Sequence, residues 1–246
     1  MVLIFNLCKD FGIIMATSNS YLLDRNYAVS LLHLNGADAS TVFTDNNRGR
    51  NPHTWTRQNH GQLKTAAAKF GSAGLRLDGD DYISSSDSPD WYFNSDFTID
   101  CWIKPAAVAR YHTLWSQYAD STHFNTWNLY SYQPDTGFYT EFLQKNGGAY
   151  EILAQKYVAT PFIGVWSHVA VIRFGNIIRF FLNGTQVGTD YTATAAMYDI
   201  AGVAYIGTWP GSASYMFQGD MDEFRVSKGI ARWISDFSVP TAESAW

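Results

Sequence analysis

Apolar positions along this 246-residue chain come in short runs that mostly alternate with polar ones, and a 3.6-residue period is almost absent. A period of two marks a strand, whose successive side chains point to opposite faces of a sheet. The runs fall at 28–34, 73–79, 97–103, 112–117, 126–132, 137–143 and 149–155, then at 165–174, 176–184, 185–191, 203–208 and 215–226. Turn-forming residues separate them. Asn183-Gly184, between "RFFL" and "TQVG", is the strongest short hairpin signal, because both residues tolerate the positive φ of a tight turn. Asn183-Gly184-Thr185 also matches the glycosylation acceptor pattern, but the turn explains the same residues. "GIARW" (229–233) suits one helical turn, and "DFSVPTAESAW" is an extended tail in which Pro240 limits helix. This many short strands between turns predicts an all-β fold, a β-sandwich or a jelly roll.

Composition narrows the classes. Seventeen Lys and Arg against 22 Asp and Glu, with no basic block, give no surface for phosphate backbones or anionic membrane. Fifteen Tyr, sixteen Phe and nine Trp suit pleated sheets, sugar-stacking surfaces and protein interfaces. Two cysteines, Cys8 and Cys101, make no disulfide scaffold, and the alternation of "FTIDCWI" buries Cys101 as a free thiol. No stretch is long enough to span a bilayer as a helix. "MVLIFNLCKDFGIIM" resembles a secretion leader only briefly, since Lys9 and Asp10 interrupt it, and Met15 offers a second start.

Several segments together resemble a laminin-G-like, concanavalin A-like jelly roll. They are "LLHLNGADASTVFTD" (31–45), "AAAKFGSAGLRLDGDDYISSSDSPDWYF" (66–93), "SDFTIDCWIKP" (95–105), "WSHVAVIR" (166–173), "IRFFLNGTQVG" (178–188) and "FQGDMDEFRVSKGIARW" (217–233). They occur in the family's order over roughly residues 28–240. The last of them, followed by "FSVPT" (237–241), is especially similar to copies in tailed-phage and other viral structural proteins. The resemblance implies a two-sheet antiparallel jelly-roll sandwich with short terminal extensions. It leaves function open, because this fold hosts lectins, glycoside hydrolases, adhesion modules and virion parts.

The carboxylates Asp220, Asp222 and Glu223 sit on the segment that closes the fold. A retaining glycosidase needs two carboxylates about 5–5.5 Å apart, and laminarinase-type relatives carry them as Glu-x-Asp-x-x-Glu or Glu-x-Asp-x-Glu. Neither motif occurs here. Met221, Phe224 and Val226 are spaced three and then two, so an extra residue at Asp222-Glu223 predicts a β-bulge. The resemblance implies a structural Ca²⁺ on Asp222, completed by carbonyls of Asn35 and Gly74, although related sequences commonly have Asp at the position of Asn35. Ion pairing with Arg225, Lys228 or Arg232 is the plain alternative. The six histidines form no zinc pair, and His168 lies within a sheet strand, where a structural role is expected. "GSAGLRLDGDD" (71–81) lacks the helix and Lys of a phosphate loop, and "DGDD" reads as a turn.

If Leu114, Leu129 and Phe142 point into the core, alternation places Trp115, Gln117, Asn128, Tyr130, Tyr139 and Glu141 on the opposite face. Aromatics interleaved with hydrogen-bonding groups suit a carbohydrate site, with Trp209 as a rim platform; a protein–protein interface is the alternative. The expectation is a non-catalytic virion structural protein, a capsid decoration or tail appendage on the virion surface, with host-surface glycans as candidate ligands. A carbohydrate-binding module and a degenerate glycoside hydrolase are the alternatives. The jelly roll spans 28–233. The arm 1–27, with Val2, Leu3, Ile4, Phe5, Phe11, Ile13 and Ile14, and the tail 234–246 are the expected attachment segments. The partners are therefore capsid or tail proteins and further copies of the chain.

Overall fold

The computed structural model describes residues 26–47, 51–106, 111–130, 137–159 and 163–244. Most of the N-terminal arm, and with it Cys8, lies outside them. The strands are β1 (Ala28–Leu32), β2 (Thr56–Gln58), β3 (Gln62–Lys64), β4 (Gly74–Asp78), β5 (Tyr82–Ser85), β6 (Phe97–Pro105), β7 (Tyr111–Asp120) and β8 (His123–Tyr130). They continue as β9 (Phe138–Asn146), β10 (Glu151–Val158), β11 (Ser167–Phe174), β12 (Ile177–Leu182), β13 (Thr185–Gln186), β14 (Tyr191–Thr192), β15 (Val203–Ile206) and β16 (Gln218–Lys228). One sheet runs β13-β12-β11-β6-β16-β4-β3, with β1 added on β16 and β14 on β12. The other runs β10-β9-β8-β7-β15-β5-β2. The two-sheet antiparallel jelly roll is as expected.

The inner faces interlock through large rings. Trp91, Trp115, Trp127, Phe93, Phe97, Phe142, Phe217 and Phe224 are fully buried and share one cluster with the aliphatics of both sheets. Each such side chain contributes roughly 1.5–3 kcal/mol on burial. Cys101 is buried in this cluster as a free thiol, as its alternation implied. The Asn183-Gly184 hairpin also forms, with φ of 50° and 79° at its two residues. The short strands β2, β3 and β5 carry too few apolar residues to be seen in the sequence pattern. "TQVGTDY" is interrupted, with only Thr185–Gln186 and Tyr191–Thr192 pairing.

The bulge on β16 is real. Asp222 faces Trp102 and Arg225 faces Asp100, so two residues of β16 oppose one of β6, and Glu223 takes φ of 51°. At this point β16 also changes its other neighbour, from β4 at 218–221 to β1 at 224–227.

The outer face of the nine-stranded sheet is covered around β6, β11 and β16, while Arg76 and Asp78 of β4 stay exposed. Residues 229–233 make no helical turn; the Gly229 N–H donates to the Asp96 carbonyl and the Arg232 N–H to the Thr98 hydroxyl. Trp233 stacks on Phe237 at 3.9 Å and 5°, and both pack on Ala170, Ile172 and Phe181. The Phe237 N–H donates to the Gly184 carbonyl, and the Ser244 N–H donates to Glu223. The tail, expected as an attachment segment, is over 234–244 a cover for its own sheet.

Beneath that cover Arg225 forms a two-pronged pair with Asp100 (3.0 and 2.9 Å), and His168 Nε2 lies 3.3 Å from the same carboxylate. Burial pushes the Asp100 pKa up, but the Arg225 and His168 charges and hydrogen bonds outweigh it and hold the carboxyl well below its ordinary range. A depressed carboxyl stabilises the fold above its unfolded pKa, and that stability is lost as pH falls through the folded one. Asp100→Ala leaves the buried guanidinium uncompensated, and a loss of about 3–5 kcal/mol is expected by urea unfolding at neutral pH. Asp100→Asn should also flatten the decline in wild-type stability below about pH 4.

Candidate functional site

The outer face of the seven-stranded sheet carries a groove of about 270 Å³. Alternation along β8 sends Trp127 and Leu129 into the core and Thr126, Asn128 and Tyr130 outward, while β9 sends Phe142 in and Glu141 and Leu143 out. Antiparallel register sets Asn128 directly opposite Glu141, and Glu141 opposite Gln155 of β10. These three form the polar floor. Asn128 Nδ2 donates to Glu141 Oε1 at 3.1 Å, and Gln155 Nε2 donates to Glu141 Oε2 at 3.2 Å and to the Tyr130 hydroxyl at 2.7 Å. Thr113 and Thr126 hydroxyls donate to Asn128 Oδ1, which fixes its amide orientation. Burial raises the Glu141 pKa above its ordinary value, opposed by the two amide donors.

A row of tyrosines walls the groove. Tyr215 stacks on Tyr111 (4.2 Å), Tyr111 on Tyr130 (5.0 Å) and Tyr130 on Tyr139 (5.2 Å), and Tyr157 tilts against Tyr139 (5.1 Å). These spacings match the separation of neighbouring strands, about 4.7–4.9 Å. The rings engage one another's faces, and Tyr111, Tyr130 and Tyr215 of the row line the groove. Trp209, from the loop after β15, packs edge-on against Phe124 (4.9 Å) and Tyr215 (4.9 Å) and closes one end. Tyr150 and Ile152, 62 % and 41 % exposed, form the opposite lip.

Of the residues expected on this face, Asn128, Tyr130, Glu141 and Trp209 line the groove, and Tyr139 stands behind Tyr130 in the tyrosine row. Trp115 and Gln117 are corrected. A register shift between Thr113 and Trp115 inserts one residue into β7, and Trp115 then pairs with the inward Trp127. Trp115 is fully buried, 5.2 Å from Trp91 and 6.4 Å from Phe224. Gln117, two residues on, is buried too, and its amide bonds the Ile200 and Gly202 carbonyls and Asp87. Strict alternation from Leu114 cannot show an inserted residue. Tyr111, Tyr150, Gln155 and Tyr215 were missed, because only strand register brings them to Asn128 and Glu141.

The carboxylates of the closing strand are architectural. Asp220 pairs with Arg76 (2.7 and 3.1 Å), and Glu223 binds His33 Nδ1 (2.5 Å) and the Ser244 N–H. Asp222 Oδ2 accepts the backbone N–H groups of Lys69 (2.7 Å) and Phe70 (3.0 Å), and its Oδ1 accepts that of Glu223 (2.8 Å). Burial lifts the Asp222 pKa to about 7, against these three bonds. Asn35 Oδ1 accepts from the Ser72 N–H (2.6 Å) and hydroxyl (3.1 Å), and its Nδ2 donates to Glu243. A Cβ on Gly74 would lie 2.0 Å from the Ala67 carbonyl oxygen, so close backbone approach accounts for this glycine. Ca²⁺ needs six to eight convergent oxygens. Of the expected set Asp222, Asn35 and Gly74, the Asp222 carboxylate has both oxygens on backbone N–H donors, so a calcium ion there would compete with three hydrogen bonds.

A family profile described as the concanavalin A-like lectin/glucanases superfamily (Laminin_G_3) matches residues 77–231, more than half of the chain, and the chain belongs to that family. No curated protein matches it. Among solved structures it is similar to domain 4 of AbnA, a GH43 extracellular arabinanase from Geobacillus stearothermophilus, in complex with arabinotriose. The identity is 18% and the TM-score 0.62, over 83% of this chain and 94% of that one. It is also similar to the binding domain of Paraclostridial Mosquitocidal Protein 1 (15% identity, TM-score 0.57, 83% of this chain and 49% of that one). A third likeness is to botulinum neurotoxin type C, whose cell entry depends on interaction with two ganglioside molecules (9% identity, TM-score 0.59, 85% of this chain and 50% of that one). The chain spans about half the length of these two toxin chains. At such identities the likeness is one of fold.

The reassignment of Trp115 has a direct check. Trp115→Ala is expected to destabilise the protein by about 3–5 kcal/mol, as a cavity in an aromatic core does. Urea denaturation followed by tryptophan fluorescence measures it, and a loss below about 1 kcal/mol would return Trp115 to the surface.

Proposed function

We propose that this protein is a non-catalytic glycan-binding jelly roll, with the groove on the seven-stranded sheet as its site. The observation that carries the reading is the floor of Asn128, Glu141 and Gln155 beside Trp209 and Tyr150. Sugars present hydroxyls in their ring plane and C–H faces above it. Directional polar groups next to exposed aromatic surface suit both. Similar folds described as binding arabinotriose or gangliosides support the class of ligand without supplying its identity.

Absence of catalysis is part of the proposal. Glu141 is the one carboxylate among the described residues lining the groove, whereas glycoside hydrolysis requires a flanking pair. The wall of mutually stacked tyrosines favours a ligand site over a flat interface, because it frames a concavity with a hydrogen-bonding floor.

The setting we propose is a virion surface, as a capsid decoration or tail appendage, on the resemblance of residues 217–241 to viral structural proteins. With residues 234–244 packed on their own sheet, attachment to shell or tail proteins and to further copies falls to the N-terminal arm. Deleting residues 1–25 is expected to leave a folded protein that no longer joins particles or oligomers. Unchanged sedimentation and particle binding would remove that assignment.

Binding is tested on a glycan array and by calorimetry. Tyr150→Ala, at the exposed lip, is expected to weaken the best glycan by roughly tenfold or more while the melting temperature holds, and Trp209→Ala to weaken it at least as much. Release of reducing ends at an enzyme-like rate, lost in Glu141→Gln, would replace the reading with that of a hydrolase.

A further inference from the structure

Among the described residues that line the groove there is no Lys, Arg or His, and Glu141 stands at its centre with 7 % exposure. An ionised carboxylate only accepts hydrogen bonds, at about four lone-pair sites. Asn128 and Gln155 take one on each oxygen and hold the group in place. What remains calls for donors, and the donors of a sugar are its hydroxyls. A ligand carboxylate or sulfate would instead meet Glu141 in a half-enclosed site with no described cation beside it, and the chain's formal net charge of −5 has the same repulsive sign. The volume, about 270 Å³, is just under the roughly 300–1,000 Å³ of small-molecule pockets, so the site grips a short stretch of a glycan.

We infer that the groove selects neutral glycans, holding the hydroxyls of one or two sugar units on the Glu141 carboxylate, and that it rejects sialylated, sulfated and uronic-acid glycans. This rests on the glycan-binding reading above and adds the ligand class to it.

The test is an array of neutral oligosaccharides printed beside their sialylated, sulfated and uronic-acid counterparts, followed by calorimetry on the best matched pair. Binding of the neutral member is expected, with the acidic member at least about tenfold weaker. Glu141→Gln should weaken the neutral glycan by roughly tenfold, because a charge-assisted acceptor is lost, and should shrink the discrimination. Gln155→Lys places an ammonium beside Glu141 and should admit the acidic member, a gain of binding that misfolding cannot produce. The inference is overturned if the acidic glycan binds wild type as well as its neutral partner and that binding is lost in Trp209→Ala; the glycan-binding reading would then stand. If no glycan binds, or if neither Trp209→Ala nor Glu141→Gln changes binding, the reading itself fails and the inference with it.

Discussion

Strand β16 is hydrogen-bonded along both edges, to β6 on one side and to β4 and then β1 on the other. Every strand pairing across the middle of the nine-stranded sheet passes through it. Two neighbours can share one edge only if the strand is re-aimed where they meet, and the bulge at Asp222-Glu223 does this. Its three backbone N–H bonds let Asp222 anchor the 69–70 turn, while Glu223 ties down His33 after β1 and Ser244 in the tail. A run that reads at first as an acid cluster is the joint of the sandwich.

Closing the sandwich leaves the outer faces of the two sheets in different states. The middle of the nine-stranded sheet is buried on both faces, because residues 229–244 fold back over Asp100, Arg225 and His168, while Arg76 and Asp78 of β4 stay exposed toward its edge. Ion pairs enclosed in this way cost desolvation and are retained only where their geometry satisfies both partners, as the two-pronged Asp100–Arg225 contact does. The seven-stranded sheet keeps its outer face open around the groove. Its tyrosines spend their ring faces on one another, and such pairs contribute about 0.5–1.5 kcal/mol each beyond burial. The ring faces of the wall are therefore already engaged within the protein.

Membership of the concanavalin A-like family sets the architecture without choosing among its functions, and the groove narrows them. One buried carboxylate flanked by two amides is an acceptor held in place, a useful arrangement for a hydroxyl-rich ligand. It is a poor one for double-displacement chemistry, which needs a second carboxylate across the bond. The likeness to domain 4 of an extracellular arabinanase and to two toxin chains is one of fold.

Much of this was legible in local pattern. Period-two runs marked the long strands, Asn183-Gly184 its hairpin, Cys101 its burial, and the three-then-two spacing of Met221, Phe224 and Val226 the bulge. Each is decided by neighbours along the chain, where side-chain direction follows from backbone geometry alone. The outward set Asn128, Tyr130, Tyr139 and Glu141 was readable for the same reason. Trp115 and Gln117 were not, since the shift in β7 became visible only against β8. The tyrosine row, Gln155 beside Glu141 and the folded-back tail likewise required tertiary structure. Each joins residues that are distant in sequence and adjacent only through strand register, and register is set by the packing of the whole sandwich.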